Sequence, residues 1–152
     1  MSAGSESPKF RQPTAIERLF NRVFGFLVGK GLGFKYNYLL QVRGRKSGKL
    51  YSTPIDLLEI DGRRYLVAPR GQTQWVRNAE AAGAVTLKKG SFQQSFHLRP
   101  IVDGDKAPLL KAYLEKFKKE VQTYFPIAAG SDVEAFEGIA ADYPVFELTP
   151  KG

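Results

Sequence analysis

Tyr38-Leu39-Leu40-Gln41-Val42-Arg43-Gly44-Arg45-Lys46-Ser47-Gly48-Lys49-Leu50-Tyr51-Ser52-Thr53-Pro54-Ile55 places two β-type runs around a turn at residues 44–48. A hairpin turn asks only for Gly, Asn or Asp where the backbone geometry is special. It has no need of Arg45 beside Lys46, because adjacent like charges repel. An anion at the turn accounts for the pair. A glycine-flexible turn can aim several backbone N–H groups into one concavity, and the Ser47 hydroxyl adds a donor. Lys46 is a point charge and Arg45 a planar fork, and both suit phosphate. Read alone, the turn fits any phosphate-bearing ligand, and equally a solvated basic loop.

The remaining chain narrows the choice. At 152 residues it is long enough for one domain with a core that needs no staples. The absence of cysteine excludes disulfides and thiolate chemistry, and makes a reducing cytoplasm the simplest setting. A single histidine, His97, excludes the usual zinc clusters, and no metal site is expected. No apolar run approaches the ~20 residues of a membrane span, and no signal-peptide pattern opens the chain. Charge is uneven. Residues 1–50 carry ten Lys/Arg against two acids, and residues 101–152 carry six against nine. The positive field lies on the half that contains the turn, where it concentrates anionic partners.

In chain order, residues 1–12 are polar and read as a disordered tail, with a single domain over 13–152. Thr14 and Glu17 fit a capping box. It opens a helix whose Ile16, Leu19, Phe20, Val23, Phe24 and Leu27 share one face. That helix either packs on the core or brings residues 14–30 to a membrane surface. Strands are expected over 38–43 and 49–60, then after the Asp61-Gly62 turn over 63–68. Pro54 marks an edge strand, because it cannot donate to a ladder. Thr73 caps a short helix through Trp75, Val76, Ala79 and Ala82, closed by Gly83. A second hairpin pairs 85–88 with 91–98 across Lys89-Gly90, and Lys88-Lys89 read as edge-strand charges that discourage aggregation. One helix is expected over 105–121. Ser131 and Glu134 suggest another capping box, and residues 144–148 a last strand. Six or so antiparallel strands with peripheral helices make a small barrel, mainly β within the α+β class. His97 reads as a surface residue of its strand.

Gly44-Arg45-Lys46-Ser47-Gly48, Ser52-Thr53-Pro54, Asp61-Gly62-Arg63-Arg64-Tyr65-Leu66-Val67-Ala68 and Trp75-Val76-Arg77-Asn78, in this order and spacing, resemble the deazaflavin-dependent nitroreductase and quinone reductase family. The likeness runs from about residue 16 to the end. It implies the split β-barrel of flavin reductases and reduced coenzyme F-420 as hydride donor to a quinone, nitroaromatic or activated enone. By the same resemblance Arg45, Lys46, Ser47 and Gly48 hold the cofactor's phosphate and acidic tail. Thr53, Pro54, Ile55 and Asp56 flank the deazaflavin ring, and Arg70 holds phosphate or ring oxygens. Trp75, Arg77 and Asn78 close the phosphate site, where a helix N-terminus also favours an anion. Hydride transfer is the cofactor's own chemistry, so the protein needs no nucleophile or metal. No catalytic side chain is assigned, and Tyr113 and Tyr124 are the candidates for a proton donor. The alternative is an FMN-binding reductase or a non-catalytic flavin carrier. Nucleic-acid binding by a basic barrel is not expected, because the aromatics sit at core-like spacing. The partner is a small-molecule electron acceptor, and the chain is a monomer or homodimer.

Overall fold

The computed structural model describes residues 35–151. The expected tail and amphipathic helix lie outside the described residues. Seven antiparallel strands form one sheet: β1 (Asn37–Arg43), β2 (Leu50–Asp56), β3 (Leu58–Ile60), β4 (Arg63–Val67), β5 (Ala84–Lys89), β6 (Phe92–Pro100) and β7 (Val145–Pro150). The helices are α1 (Gln74–Ala82), α2 (Ala107–Lys116), α3 (Lys118–Val121) and α4 (Val133–Glu137).

The sheet order is β2-β1-β5-β6-β7-β4-β3, so its two outermost strands are consecutive in the chain. Only Leu57 separates them. In a flat sheet seven strands wide they would stand roughly 29 Å apart, whereas two Cα steps span at most about 7 Å. The sheet must therefore curl. Residues 50–60 act as one bent strand that pairs first with β1 and then with β4. The product is a split β-barrel.

Side-chain alternation divides the core at the same point. Leu57 joins Leu40, Leu66, Leu87, Phe96 and Phe146 in the barrel interior, together with Val76 and Ala79 of α1. Leu58, one residue on, faces the other way and packs with Tyr65, Val67, Val145 and the helical lobe 107–137. That lobe also reaches the start of β1, where the Tyr36 and Phe117 rings meet edge-on at 6.1 Å.

Two bonds set the phase of the β1–β2 ladder. Leu57 N–H donates to Tyr36 O at 2.8 Å, and Gly44 N–H donates to Lys49 O at 2.7 Å. Since bonded pairs alternate, the odd-numbered residues of β2 bond to β1. Ser52, Pro54 and Asp56 turn their backbone polar groups the other way. Among the described residues no strand pairs on that side of β2. Pro54 sits where it has no ladder bond to lose, and the edge-strand expectation holds.

Several expectations are corrected. The run 49–60 is two strands, because its second half changes partner. The hairpin turn falls at Gly90-Ser91, with Lys89 opposite Phe92 and Gly90 at φ 59°. β5 lies between β1 and β6, so Lys88 and Lys89 are not edge charges. The Lys89 ammonium instead donates to Lys35 O at 2.6 Å and stands over the Tyr38 ring. The helix expected over 105–121 breaks at Phe117 (φ −113°, ψ 30°), whose ring packs between Tyr36 and Tyr113. Asp132, not Ser131, stands at the N-cap of α4 and makes no side-chain cap bond; the Ser131 hydroxyl donates to Ala128 O.

Leu57 is fully buried at the point where the strand changes partner. Leu57→Ala should cost about 2–5 kcal/mol in urea unfolding, the range for a large-to-small change in a packed core.

Candidate functional site

The basic turn is built as a single helical turn. Gly48 N–H donates to Gly44 O at 3.0 Å, and Gly48 ends the turn at φ 74°, a left-handed geometry that favours glycine. Gly44 is crowded: a Cβ there would lie 2.6 Å from the Tyr51 ring and 2.9 Å from Ser47 Oγ. The turn is latched to α1. Asn78 Oδ1 accepts from Arg45 N–H at 3.1 Å and from Arg45 Nη1 at 2.7 Å, while Gln74 Oε1 accepts from the same Nη1 at 3.0 Å. These bonds connect the Gly-Arg-Lys-Ser-Gly turn to the Trp-x-x-Asn helix across 33 residues of chain.

The latch sorts the cations. Arg43 Nη1 donates to Gly48 O at 2.8 Å and Arg45 holds the helix. The Lys46 and Lys49 ammonium groups are exposed and bond to no side chain or carbonyl among the described residues. Ser47 Oγ is engaged inside the turn, accepting Lys49 N–H at 3.1 Å and lying 3.1 Å from the Tyr51 hydroxyl. Arg77 is exposed on α1, and Trp75 packs half-buried against the barrel interior. Thr73 precedes α1 without capping it through its side chain, and its buried hydroxyl has no hydrogen-bond partner. The first backbone N–H groups of this nine-residue helix therefore lack a side-chain cap. Exposed ammonium groups on the turn and a helix start without a side-chain cap, joined through Arg45, are donors suited to an anionic cofactor.

At the far end of β2 the chemistry changes. Asp56 lies opposite Asn37, whose Nδ2 donates to Asp56 Oδ1. Burial, and then the nearby Glu120 carboxylate, push the Asp56 carboxyl up to about 6 against the pull of that hydrogen bond. Tyr113 is sealed in the lobe, and burial followed by the charges of Asp56 and Glu120 raises its hydroxyl well above the ordinary value. Tyr124 lies beside it, with the Arg70 guanidinium 5.8 Å from its ring centroid. Tyr143 donates to Tyr124 O at 2.6 Å and stacks on Phe125 at 4.5 Å.

The residues singled out from sequence thus form two groups joined by β2. Arg45, Lys46, Ser47, Gly48, Trp75, Arg77 and Asn78 gather about the turn and the start of α1. Asp56, Arg70, Tyr113 and Tyr124 gather at the other end, with Thr53, Pro54 and Ile55 along the strand between. Sequence reasoning missed Gln74, Asn37 and Glu120. Asn37 was reachable from register, since it falls opposite Asp56 once the hairpin is aligned on its turn. Glu120 comes from a separate lobe and carries no local signal. Among the described residues no cluster of three or more His, Asp or Glu side chains could hold a metal. No described helix is long and apolar enough to cross a membrane.

A curled antiparallel barrel with an edge strand leading from a cationic turn defines the class as flavin-reductase-like split barrels. Solved structures agree on the fold. An F420-H2 dependent reductase (FDR-A) superposes at TM-score 0.52 and 20% identity, over 76% of this chain and 95% of its own. A chain described as a domain-swapped dimer gives 0.54 at 20% identity, over 88% and 93%. A protein of unknown function from Agrobacterium tumefaciens gives 0.55 at 18% identity, over 93% and 60%. No curated protein matches the sequence. The family model described as F420H(2)-dependent quinone reductase matches residues 11–128. The chain belongs to this family of oxidoreductases, whose hydride donor is reduced coenzyme F-420.

Asn78→Ala removes the acceptor of two bonds from Arg45, one of them charge-assisted. It should cost about 1–3 kcal/mol in urea unfolding, with a loss of turn order visible in the amide spectrum of residues 44–49. Asp56 makes an opposite prediction. Its folded carboxyl titrates at about 6 against 3.8 unfolded, so the folded state holds the proton more tightly. That contribution to stability is complete below pH 3.8 and is lost as pH rises to about 6. Asp56→Asn keeps an acceptor for Asn37 and should stabilise the protein by about 1–3 kcal/mol above pH 6 but not at pH 4.

Proposed function

We propose that this chain seats coenzyme F-420 along β2 and passes its hydride to a quinone, with nitroaromatics and activated enones as related acceptors. The observation that carries the reading is the polarity of β2. This seven-residue strand runs about 20 Å from a cationic turn to a half-buried carboxyl. One flank offers backbone groups that no described strand pairs with. A long cofactor with an anionic tail at one end and a flat ring at the other suits such a track.

Lys46 and Lys49, with the N-terminal N–H groups of α1, neutralise the tail, while Arg45 acts mainly by holding turn and helix together through Asn78 and Gln74. Gly48 and Ser47 shape the turn. Trp75 and Arg77 border it. The outward-facing groups of Ser52 and Asp56 and the carbonyl of Pro54 are complementary to the polar edge of a pyrimidine-like ring. Thr53 and Ile55 support the strand from the interior side, since they pair with Leu40 and Tyr38. Arg70, set over Tyr124, borders the ring end and lies within reach of ring oxygens or phosphate. When bound, the reduced deazaflavin supplies the hydride. Tyr124, half-buried beside Arg70, places aromatic surface at the ring end, which suits a flat acceptor. Assembly as a homodimer is supported by the relative described as a domain-swapped dimer.

Side-by-side fluorescence titration with oxidised F-420 and FMN, followed by hydride-transfer assays over quinones and nitro compounds, tests the reading. Tight FMN binding with none for F-420 would overturn it. Lys46→Ala should weaken F-420 binding about tenfold, with a shallower salt dependence and stability unchanged within ~0.5 kcal/mol. Arg45→Ala should lose both affinity and stability, because its guanidinium also holds α1.

A further inference from the structure

We propose that Asp56 is the proton donor that completes reduction of the acceptor, acting through Oδ2. The inference rests on the reading that the ring end of the cofactor lies at the Asp56 end of β2.

Position comes first. Asp56 ends β2, and its backbone groups turn to the unpaired flank. Its side chain leaves on the face of Asn37, away from the barrel interior. Asn37 Nδ2 occupies Oδ1. Oδ2 has no hydrogen-bond partner among the described residues, and Asp56 is only part-buried. One oxygen is held and the other is open, which orients the acid.

The surroundings then decide which group can give up a proton. Asn37 faces the carboxyl from β1, Tyr113 from α2 and Glu120 from α3, with Tyr124 and Arg70 behind Tyr113. Tyr113 is enclosed in the lobe and holds its proton far too tightly to serve near neutral pH. Asp56 is half-buried, and Glu120 opposes its ionisation. It therefore keeps a proton into the range where an acid can still release it, the balance that general acid catalysis requires.

In the step, the Asp56 O–H bond breaks and its electron pair stays on the carboxylate. The proton forms an O–H bond on the acceptor's carbonyl oxygen. The hydride reaching the acceptor brings two electrons and the other hydrogen, so a quinone leaves as the hydroquinone. Asp56 regains its proton from water before the next turnover.

Three measurements test this. First, a carbon-13 carboxyl titration of the cofactor-free protein, with Asp56→Asn as the assignment reference, should place Asp56 at about 6; titration near 4 overturns the proposal. Second, wild-type kcat/KM for menadione should fall about tenfold per pH unit above its midpoint. Asp56→Asn should lose on the order of 100-fold at pH 6 and lack that limb, while still binding F-420. An Asp56→Asn enzyme within threefold of wild type, with the same limb, overturns the assignment. Third, Asn37→Ala keeps the acid but removes the bond that favours its charged form. It should shift the limb to higher pH, and a limb that stays in place or moves to lower pH counts against Asp56. Failure of the wild type to bind F-420 would instead overturn the cofactor reading, which separates the two failures.

Discussion

The structure depends on one strand serving two partners. Residues 50–60 end the sheet on one side and begin it on the other, with only Leu57 between the two duties. That constraint forces the sheet to curl, because hydrogen-bonded neighbours cannot be supplied across the width of a flat seven-stranded sheet. It also divides the core, since Leu57 and Leu58 point to opposite faces and lead to two separate hydrophobic clusters. Closure is incomplete by construction. While residues 58–60 pair with β4, residues 50–56 have a described strand on one side only. The unpaired flank that results is the platform of the candidate site.

A second interaction aligns this platform with its charge. Asn78 accepts from both the backbone and the guanidinium of Arg45, so the basic turn cannot move independently of α1. Adjacent cations repel, and holding one of them on neutral amide oxygens leaves the next, Lys46, directed outward. The electrostatics of the turn are thus produced by packing as much as by composition. A loop with the same residues and no Asn78 would be a flexible cluster of positive charge. With the latch, it is an oriented one beside an uncapped helix start.

The opposite end of β2 inverts this chemistry. Asp56 is part-buried at the edge of the helical lobe, where its own loss of water and then the charge of the exposed Glu120 oppose its ionisation. Three aromatic residues, Tyr113, Tyr124 and Phe125, lie in the same region, tied down by the Tyr143 hydroxyl and ring stack. One short strand therefore carries a polar gradient, from fixed positive charge in water to a partly buried acid among aromatic rings. Such a gradient matches a molecule with an anionic tail and a flat reactive head.

Much of this was legible in the residues. Alternation, the glycine-bracketed turn, Pro54 and the Gly83 helix stop specify local conformation through sterics, and those effects act over a few residues. The strands, α1 and the basic turn were accordingly readable, and the combination of motifs indicated the family. What the sequence did not disclose depends on segments far apart in the chain. The break at Phe117 follows from its place between Tyr36 and Tyr113, against an otherwise continuous helical pattern. Arg45 was legible as a cation but not as a latch, since Asn78 lies 33 residues away. Asp56 was legible as a ring-flanking residue within the 49–60 run, but not as an acid that keeps its proton. Its raised affinity for a proton arises because folding removes water from it and brings Glu120 near, against the opposing hydrogen bond from Asn37. The sequence by itself determined which local shapes and charges the chain carries. Tertiary structure alone decided which charges are held, which remain free and which acid keeps its proton, because desolvation and long-range contacts have no counterpart in local pattern.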